Sequence, residues 1–280
     1  MSRARRFAAS LLVSAFALGV PDRPAQAQAK EDSAAADSHL TGADIYRRVV
    51  DNRFRSLMQE LTLTSGDRGR NEQTTVLELT WQDVRDDEGR AVDGYYSKTR
   101  IVYTDPFDVR YTAYLVLQKE VPPNDQFVYL PSRRKIRRVN LRNETVFGTD
   151  FSFEDVIPRE FESATYRRLP DEACEALRCF VVEATPKPDQ NSEYSKLVLS
   201  VEKARSVPIR IRYWSTSGVE VKELVSPVDS IREFEGVFLP MQATMRNLVQ
   251  ETYTVATVDR VVPNPELART TFDPRKLEGH

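Results

Sequence analysis

From about residue 60 onward, apolar and polar side chains alternate with a period of two, and nothing else in the chain limits its fold so strongly. Leu77, Leu79 and Trp81 alternate with Glu78 and Thr80. Leu197, Leu199 and Val201 alternate with Val198 and Ser200, and Val207, Ile209, Ile211 and Tyr213 with Pro208, Arg210 and Arg212. Successive side chains of a strand point to opposite faces, so each run reads as a strand with one buried and one wet face. Further strands are expected near 95–103, 110–117, 165–169, 179–184, 219–225, 238–247 and 252–261. Turn signals separate them, among them Asp87-Glu88-Gly89, Pro122-Pro123-Asn124-Asp125, Ser217-Gly218 and Glu235-Gly236.

Ten or more antiparallel strands in succession, with no Gly/Ser linker, predict a single mainly β domain over residues 41–280. A sheet of that width must curl or close to manage its edges. A curled sheet has a concave face, either filled by side chains or left as an apolar cavity, and the pattern alone leaves both open. One helix precedes the strands. Thr41-Gly42-Ala43-Asp44 has the form of a capping box with Asp in place of Glu, and Ile45, Val49, Val50 and Phe54 form one apolar stripe. Such a helix is expected to cover something.

The N-terminus reads as a targeting segment. Arg3, Arg5 and Arg6 precede an apolar run from Phe7 to Val20, too short for the roughly 20 residues of a membrane span. Pro24-Ala25-Gln26-Ala27 and Ala27-Gln28-Ala29 offer cleavage frames, so residues 1–27 are expected to be a signal peptide cleaved near Ala27 or Ala29. The mature protein is then exported and periplasmic, with 28–40 a disordered polar tail. Residues 1–27 carry four arginines and one aspartate, which turns the net charge of −2 for the whole chain into −5 for the remainder. An exported, mildly acidic protein is not expected to bind nucleic acid.

The cysteines, Cys174 and Cys179, have four residues between them. In an oxidising compartment they read as a disulfide across a tight hairpin, with an entropic contribution of about 2 kcal/mol. A redox-active pair normally has two intervening residues and is the weaker reading. Two histidines are present, His39 in the polar tail and His280 as the last residue. Neither suits the buried, oriented imidazole that Ser-His-Asp or Cys-His catalysis and most zinc sites need. Two-carboxylate hydrolysis stays formally open, because acids are plentiful. No enzyme activity, cofactor or metal is expected.

Charge is most uneven after the strand Phe127–Leu130. Arg133, Arg134, Lys135, Arg137, Arg138 and Arg142 follow with no acid among them, and then aromatics spaced by carboxylates, Phe147 to Asp155. The basic run can be a solvated edge that discourages strand pairing, an anion site, or a partner surface. Asp150, Glu154 and Asp155 are candidates to pair with its arginines and join the two segments as a rim.

Tyr129-Leu130-Pro131 with the basic run, followed by Phe147-Gly148-x-Asp150-Phe151-Ser152-x-Glu154-Asp155, resembles the signature of the LolA-like outer-membrane lipoprotein-sorting proteins. Gly236-Val237-Phe238-Leu239-Pro240 and Phe272-Asp273-Pro274-x-x-Leu277 resemble that family's final strands and tail, and the likeness spans about residues 40–277. An aromatic, Phe127, stands where that signature commonly has Trp. The resemblance implies an unclosed β-barrel, a curved antiparallel sheet with helices capping a hydrophobic concave face. It implies a carrier of lipid or lipoprotein acyl chains between envelope membranes, often associated with an RND/MMPL-type inner-membrane transporter. On that reading Leu197, Leu199, Val201, Ile209, Ile211, Tyr213, Met241 and Met245 line the cavity. Arg133, Arg134, Arg137 and Arg138 stand at its mouth for head groups, peripheral membrane contact or a partner. A monomer is expected. The alternative is an accessory or sensor subunit with the same fold, a filled interior and a docking surface.

Overall fold

The computed structural model describes residues 37, 39–69, 71–141 and 144–278. The expected leader with its cleavage frames, most of the polar tail, Arg142 and His280 lie outside the described residues. The elements named below fall within one compact unit, Thr41–His280.

The alternating segments pair into one thirteen-stranded antiparallel sheet. Its first strands are β1 (Ser56–Gly66), β2 (Glu72–Asp83), β3 (Tyr95–Asp105), β4 (Ala113–Lys119), β5 (Asp125–Leu130) and β6 (Lys135–Arg138). Then come β7 (Ala164–Cys174), β8 (Leu177–Pro186), β9 (Tyr194–Glu202), β10 (Val207–Ser215) and β11 (Glu220–Val225). The hairpin of β12 (Ile231–Phe234) and β13 (Val237–Pro240) stands apart, and β14 (Gln242–Asn247) and β15 (Thr252–Pro263) return to the large sheet. The expected single strand over 238–247 is therefore two, divided at Pro240 and Met241 and shared between two sheets.

The strand order is β6-β5-β4-β3-β2-β1-β15-β14-β11-β10-β9-β8-β7. Strands β6 and β7 are consecutive in the chain but form the two opposite edges, so the sheet is an unclosed barrel. Bulges at Glu60/Leu61, between β2 and β3, and in β9–β10 add local bend, as an extra residue on one strand does. The chain from β6 to β7 must cross from edge to edge, and it crosses the concave side.

Helix α1 (Gly42–Asp51) lies on β7 and β8. Its capping box forms as the sequence predicts: Asp44 N–H donates to Thr41 Oγ1 at 3.1 Å, and Thr41 N–H donates to the Asp44 carboxylate at 2.8 Å. Gly42 is required by close approach, since a Cβ there would sit 2.6 Å from Arg168 N and 2.7 Å from Arg167 C in β7. The helix ends at Asp51, three residues before Phe54, which instead packs with Leu57 and Trp81. On the convex face of β3–β6, Leu115 and Val102 form a second core that Phe272 and Leu277 of the tail complete.

The disulfide Cys174–Cys179 spans the β7–β8 hairpin and packs against Val207, Ile209 and Ile231. Among the described residues, no helix is long and apolar enough to cross a membrane.

Candidate functional site

The segment 144–163 is a strap over the concave face, and its carboxylates hold it there. Near β2 and β3, Phe147 N–H donates to Tyr103 Oη at 3.0 Å. Asp150 is buried on the middle of the sheet: its N–H donates to Thr254 Oγ1 at 2.9 Å, while Thr254 and Thr252 of β15 donate to its carboxylate. A short helix, α2 (Phe153–Val156), follows, with Ser152 N–H donating to the Asp155 carboxylate at 2.8 Å. Asp155 also accepts from Tyr194 Oη of β9 at 2.8 Å and pairs with Lys222 Nζ of β11 at 2.9 Å, its side chain fully buried. Glu154 accepts from Arg159 at 2.7 Å and from Glu193 N–H at 2.9 Å. Burial, and then the neighbouring Asp155 charge, push the Tyr194 phenol well above its ordinary range.

These contacts correct the expected rim. Asp150, Glu154 and Asp155 hold the strap to β15, β9 and β11, and among the described residues none pairs with the basic run. Arg138 pairs with Asp125 on the neighbouring strand β5. Arg133, Arg134 and Arg137 are exposed at the β6 edge, with Arg134 in the left-handed region at φ 47°. The reason is topological: the strap leaves β6 at one edge, so its acids come to rest strands away.

Strap and α1 leave two chambers against the sheet. The smaller, about 200 Å³, is lined by Ala184, Leu197, Leu199, Pro208, Ile211 and Tyr213 from the sheet and by Val49 and Ile157 above. The larger, about 310 Å³, lies between the C-terminal half of α1, the start of β1, the end of β2 and the β12–β13 hairpin. Tyr46, Val49, Val156, Pro158 and Arg159 line both, so the chambers share a wall. Tyr46 is itself fixed by stacking on Tyr166 at 4.2 Å. Of the cavity residues read from sequence, Leu197, Leu199, Ile211 and Tyr213 line the smaller chamber. Val201 and Ile209 are packed core, Ile209 beside the disulfide. Met245 is fully buried and Met241 half-buried, and neither lines a chamber. None of the four rim arginines lines a chamber either.

The sequence reading missed the polar wall of the larger chamber. Arg85 pairs with Asp83 at 2.8 Å and with Glu160 at 2.5 Å, and Arg53 pairs with Asp83 at 2.8 Å. Burial pushes the Glu160 carboxyl up to about 7, with Arg85 and Arg53 pulling it down and Asp83 and Glu162 adding to the rise. These partners lie far apart in sequence, so no local spacing announced them. Of the acids on the chamber walls, Glu154 pairs with Arg159, Asp155 with Lys222, and Glu160 with Arg85 through one oxygen.

An open, curved antiparallel sheet with a helix and a strap over apolar chambers defines the class: the LolA-like fold. An outer-membrane lipoprotein-sorting protein domain from Vibrio parahaemolyticus superimposes with a TM-score of 0.74 at 22% identity, covering 84% of this chain and 97% of that one. A DUF1329 family protein from Desulfovibrio piger gives 0.76 at 21%, with the same coverage of 84% and 97%. A LolA superfamily protein from Nitrosomonas europaea gives 0.66 at 18%, covering 83% and 97%. No curated protein matches the sequence. A family model described as an uncharacterized protein matches residues 96–279, and the chain belongs to that family.

Proposed function

We propose that this protein is a periplasmic carrier that holds lipid or lipoprotein acyl chains on its concave face and moves them between envelope membranes. The observation that carries the reading is the larger chamber. At about 310 Å³ it reaches the range of small-ligand pockets, ~300–1,000 Å³, and its wall is dominated by Val49, Val50, Phe54, Leu57, Leu79 and Phe238. A filled interior, as the docking alternative requires, would leave no such space. Each methylene buried there contributes ~0.8 kcal/mol. The fold shared with lipoprotein-sorting proteins supports the same direction. Native mass spectrometry of protein recovered from the cells that make it is the test. A bound lipid mass released on denaturation is expected; a protein that is empty and also ignores fluorescent fatty acids and phospholipids contradicts the reading.

A second observation favours docking as an additional role. The turns after β1, β3, β5, β10 and β14 lie on one rim, as the antiparallel register requires. Exposed apolar side chains stand in those turns, Phe107, 86% exposed, with Val219 and Val249, on the same rim as Arg133 and Arg134 of the β5–β6 turn. A partner surface there suits an envelope complex, and the family resemblance suggests an RND/MMPL-type transporter. Cross-linking from Phe107 in intact cells tests it, and capture of no membrane protein contradicts it.

A further inference from the structure

The two chambers stand on different halves of the sheet. The larger takes its floor from β1, β2 and β3, through Leu57, Leu79 and Thr99. The smaller takes its floor from β8, β9 and β10, through Ala184, Leu199 and Ile211. Between β1 and β10 in the sheet come β15, β14 and β11, and among the described residues none of those strands lines either chamber. At ~4.8 Å between neighbouring strands, the two floors are about 19 Å apart along the sheet.

The strap is pinned to the strands in that gap. Thr252 and Thr254 of β15 donate to Asp150, and Lys222 of β11 pairs with Asp155. Beyond Asp155 the strap continues as the partition itself. Val156, Pro158 and Arg159 line both chambers, together with Tyr46 and Val49 of α1. A partition tied down through a fully buried carboxylate is a fixed part of the fold.

Volume sets what each side can take. An apolar cavity of about 150 Å³ accommodates one benzene, six carbons. On that scale, chambers of about 200 and 310 Å³ hold roughly eight and roughly twelve carbons. Each matches one acyl segment of medium length, and neither has the volume for two. Because the same five residues face both chambers, the two segments would lie one layer of side chains apart. Two chains carried on one head stand in that relation.

We infer that the chambers are two acyl sites, one chain in each, and that the cargo is a two-chain lipid straddling the partition. This rests on the carrier reading of the concave face and sharpens it to a class of cargo: a diacyl molecule rather than a free fatty acid or a single-chain lipid.

Native mass spectrometry of the delipidated protein, titrated with decanoate and with didecanoylphosphatidylglycerol, is the test. Two decanoates at saturation are expected, and a single diacyl lipid that displaces both. Ile211 and Leu79 are half-buried positions on the two floors, so a tryptophan at either fills one chamber alone. Ile211→Trp and Leu79→Trp are each expected to reduce the decanoate count to one. Each should also weaken the diacyl lipid at least about tenfold, since one of its chains loses its site. A saturating count of one, or of three or more, overturns the inference while leaving the concave face an acyl site. So does a diacyl lipid that leaves a decanoate bound, or whose affinity neither variant changes. Binding of neither ligand overturns the carrier reading as well. The wild-type count decides the matter if a variant fails to fold.

Discussion

Asn52, the residue that caps α1, pairs with the main chain of Phe238 as one strand residue pairs with another. Its side-chain N–H donates to Phe238 O at 2.8 Å, and its side-chain oxygen accepts from Phe238 N–H at 2.8 Å. One side chain thus ties the end of the covering helix to the β12–β13 hairpin, and all three line the larger chamber. Asn52→Ala leaves both backbone groups of Phe238 unpaired and is expected to cost about 1–3 kcal/mol in urea denaturation. It is also expected to speed amide exchange at Phe238, and unchanged exchange there argues against this tie.

The strap depends on a buried ion pair. Asp155 has no exposed side-chain surface and Lys222 only 11%. Removing one partner strands the other charge, which typically costs 3–5 kcal/mol, whereas replacing both need not. Asp155→Asn and Lys222→Met should each lower stability by several kcal/mol (about 3), and the double variant should lose less than the two combined. A simple additive loss shows that the pair is not coupled.

Stability should fall as pH rises from about 4.5 to about 7. Glu160 is raised from 4.5 to about 7 in the folded chain, so across that window the folded state holds a proton that the unfolded state has released. The folded state is therefore favoured at the acidic end, and the advantage is lost by the time pH passes the folded value. Above it both states are ionised and the contribution is level. Glu160→Gln should remove this component of a pH–stability profile, and a profile with the same slope in the variant contradicts the assignment.

Gly42→Ala tests how closely α1 sits on β7. Alanine is the better helix former by about 1 kcal/mol, but its Cβ meets main chain rather than a movable side chain. Overpacking of that kind costs about 1–3 kcal/mol, so net destabilisation and faster exchange along α1 are expected. A stabilised variant would mean that the helix is free to lift.

How much of this was legible in the sequence depended on which residues spoke locally. Period two exposed β2, β9 and β10, because apolar residues recur at every second position, although in β9 the intervening Val198 and Ser200 are buried as well. Strand β1 did not announce itself, since Met58 faces out and Gln59 faces the larger chamber. The Thr41–Asp44 box was visible because both halves lie within four residues. Nothing in an alternating pattern says which strands are neighbours, so the crossing from β6 to β7 was hidden, and with it the true partners of Asp150 and Asp155. The Arg85–Glu160 pair is 75 residues apart in the chain and became visible only when the strap brought its end back to β2.

The central claim is that the space beneath α1 and the strap is there to be occupied. Val49 lines both chambers, and it is half-buried rather than a fixed part of the core. Equilibrium titration of a fluorescent fatty-acid analogue into the wild-type protein and into Val49→Trp tests the claim most directly. Saturable binding by the wild type, weakened at least about tenfold when the indole fills the shared wall, is the expected result, since about 1.4 kcal/mol of lost burial suffices. Equal binding by a well-folded Val49→Trp, or none by either protein, would contradict it.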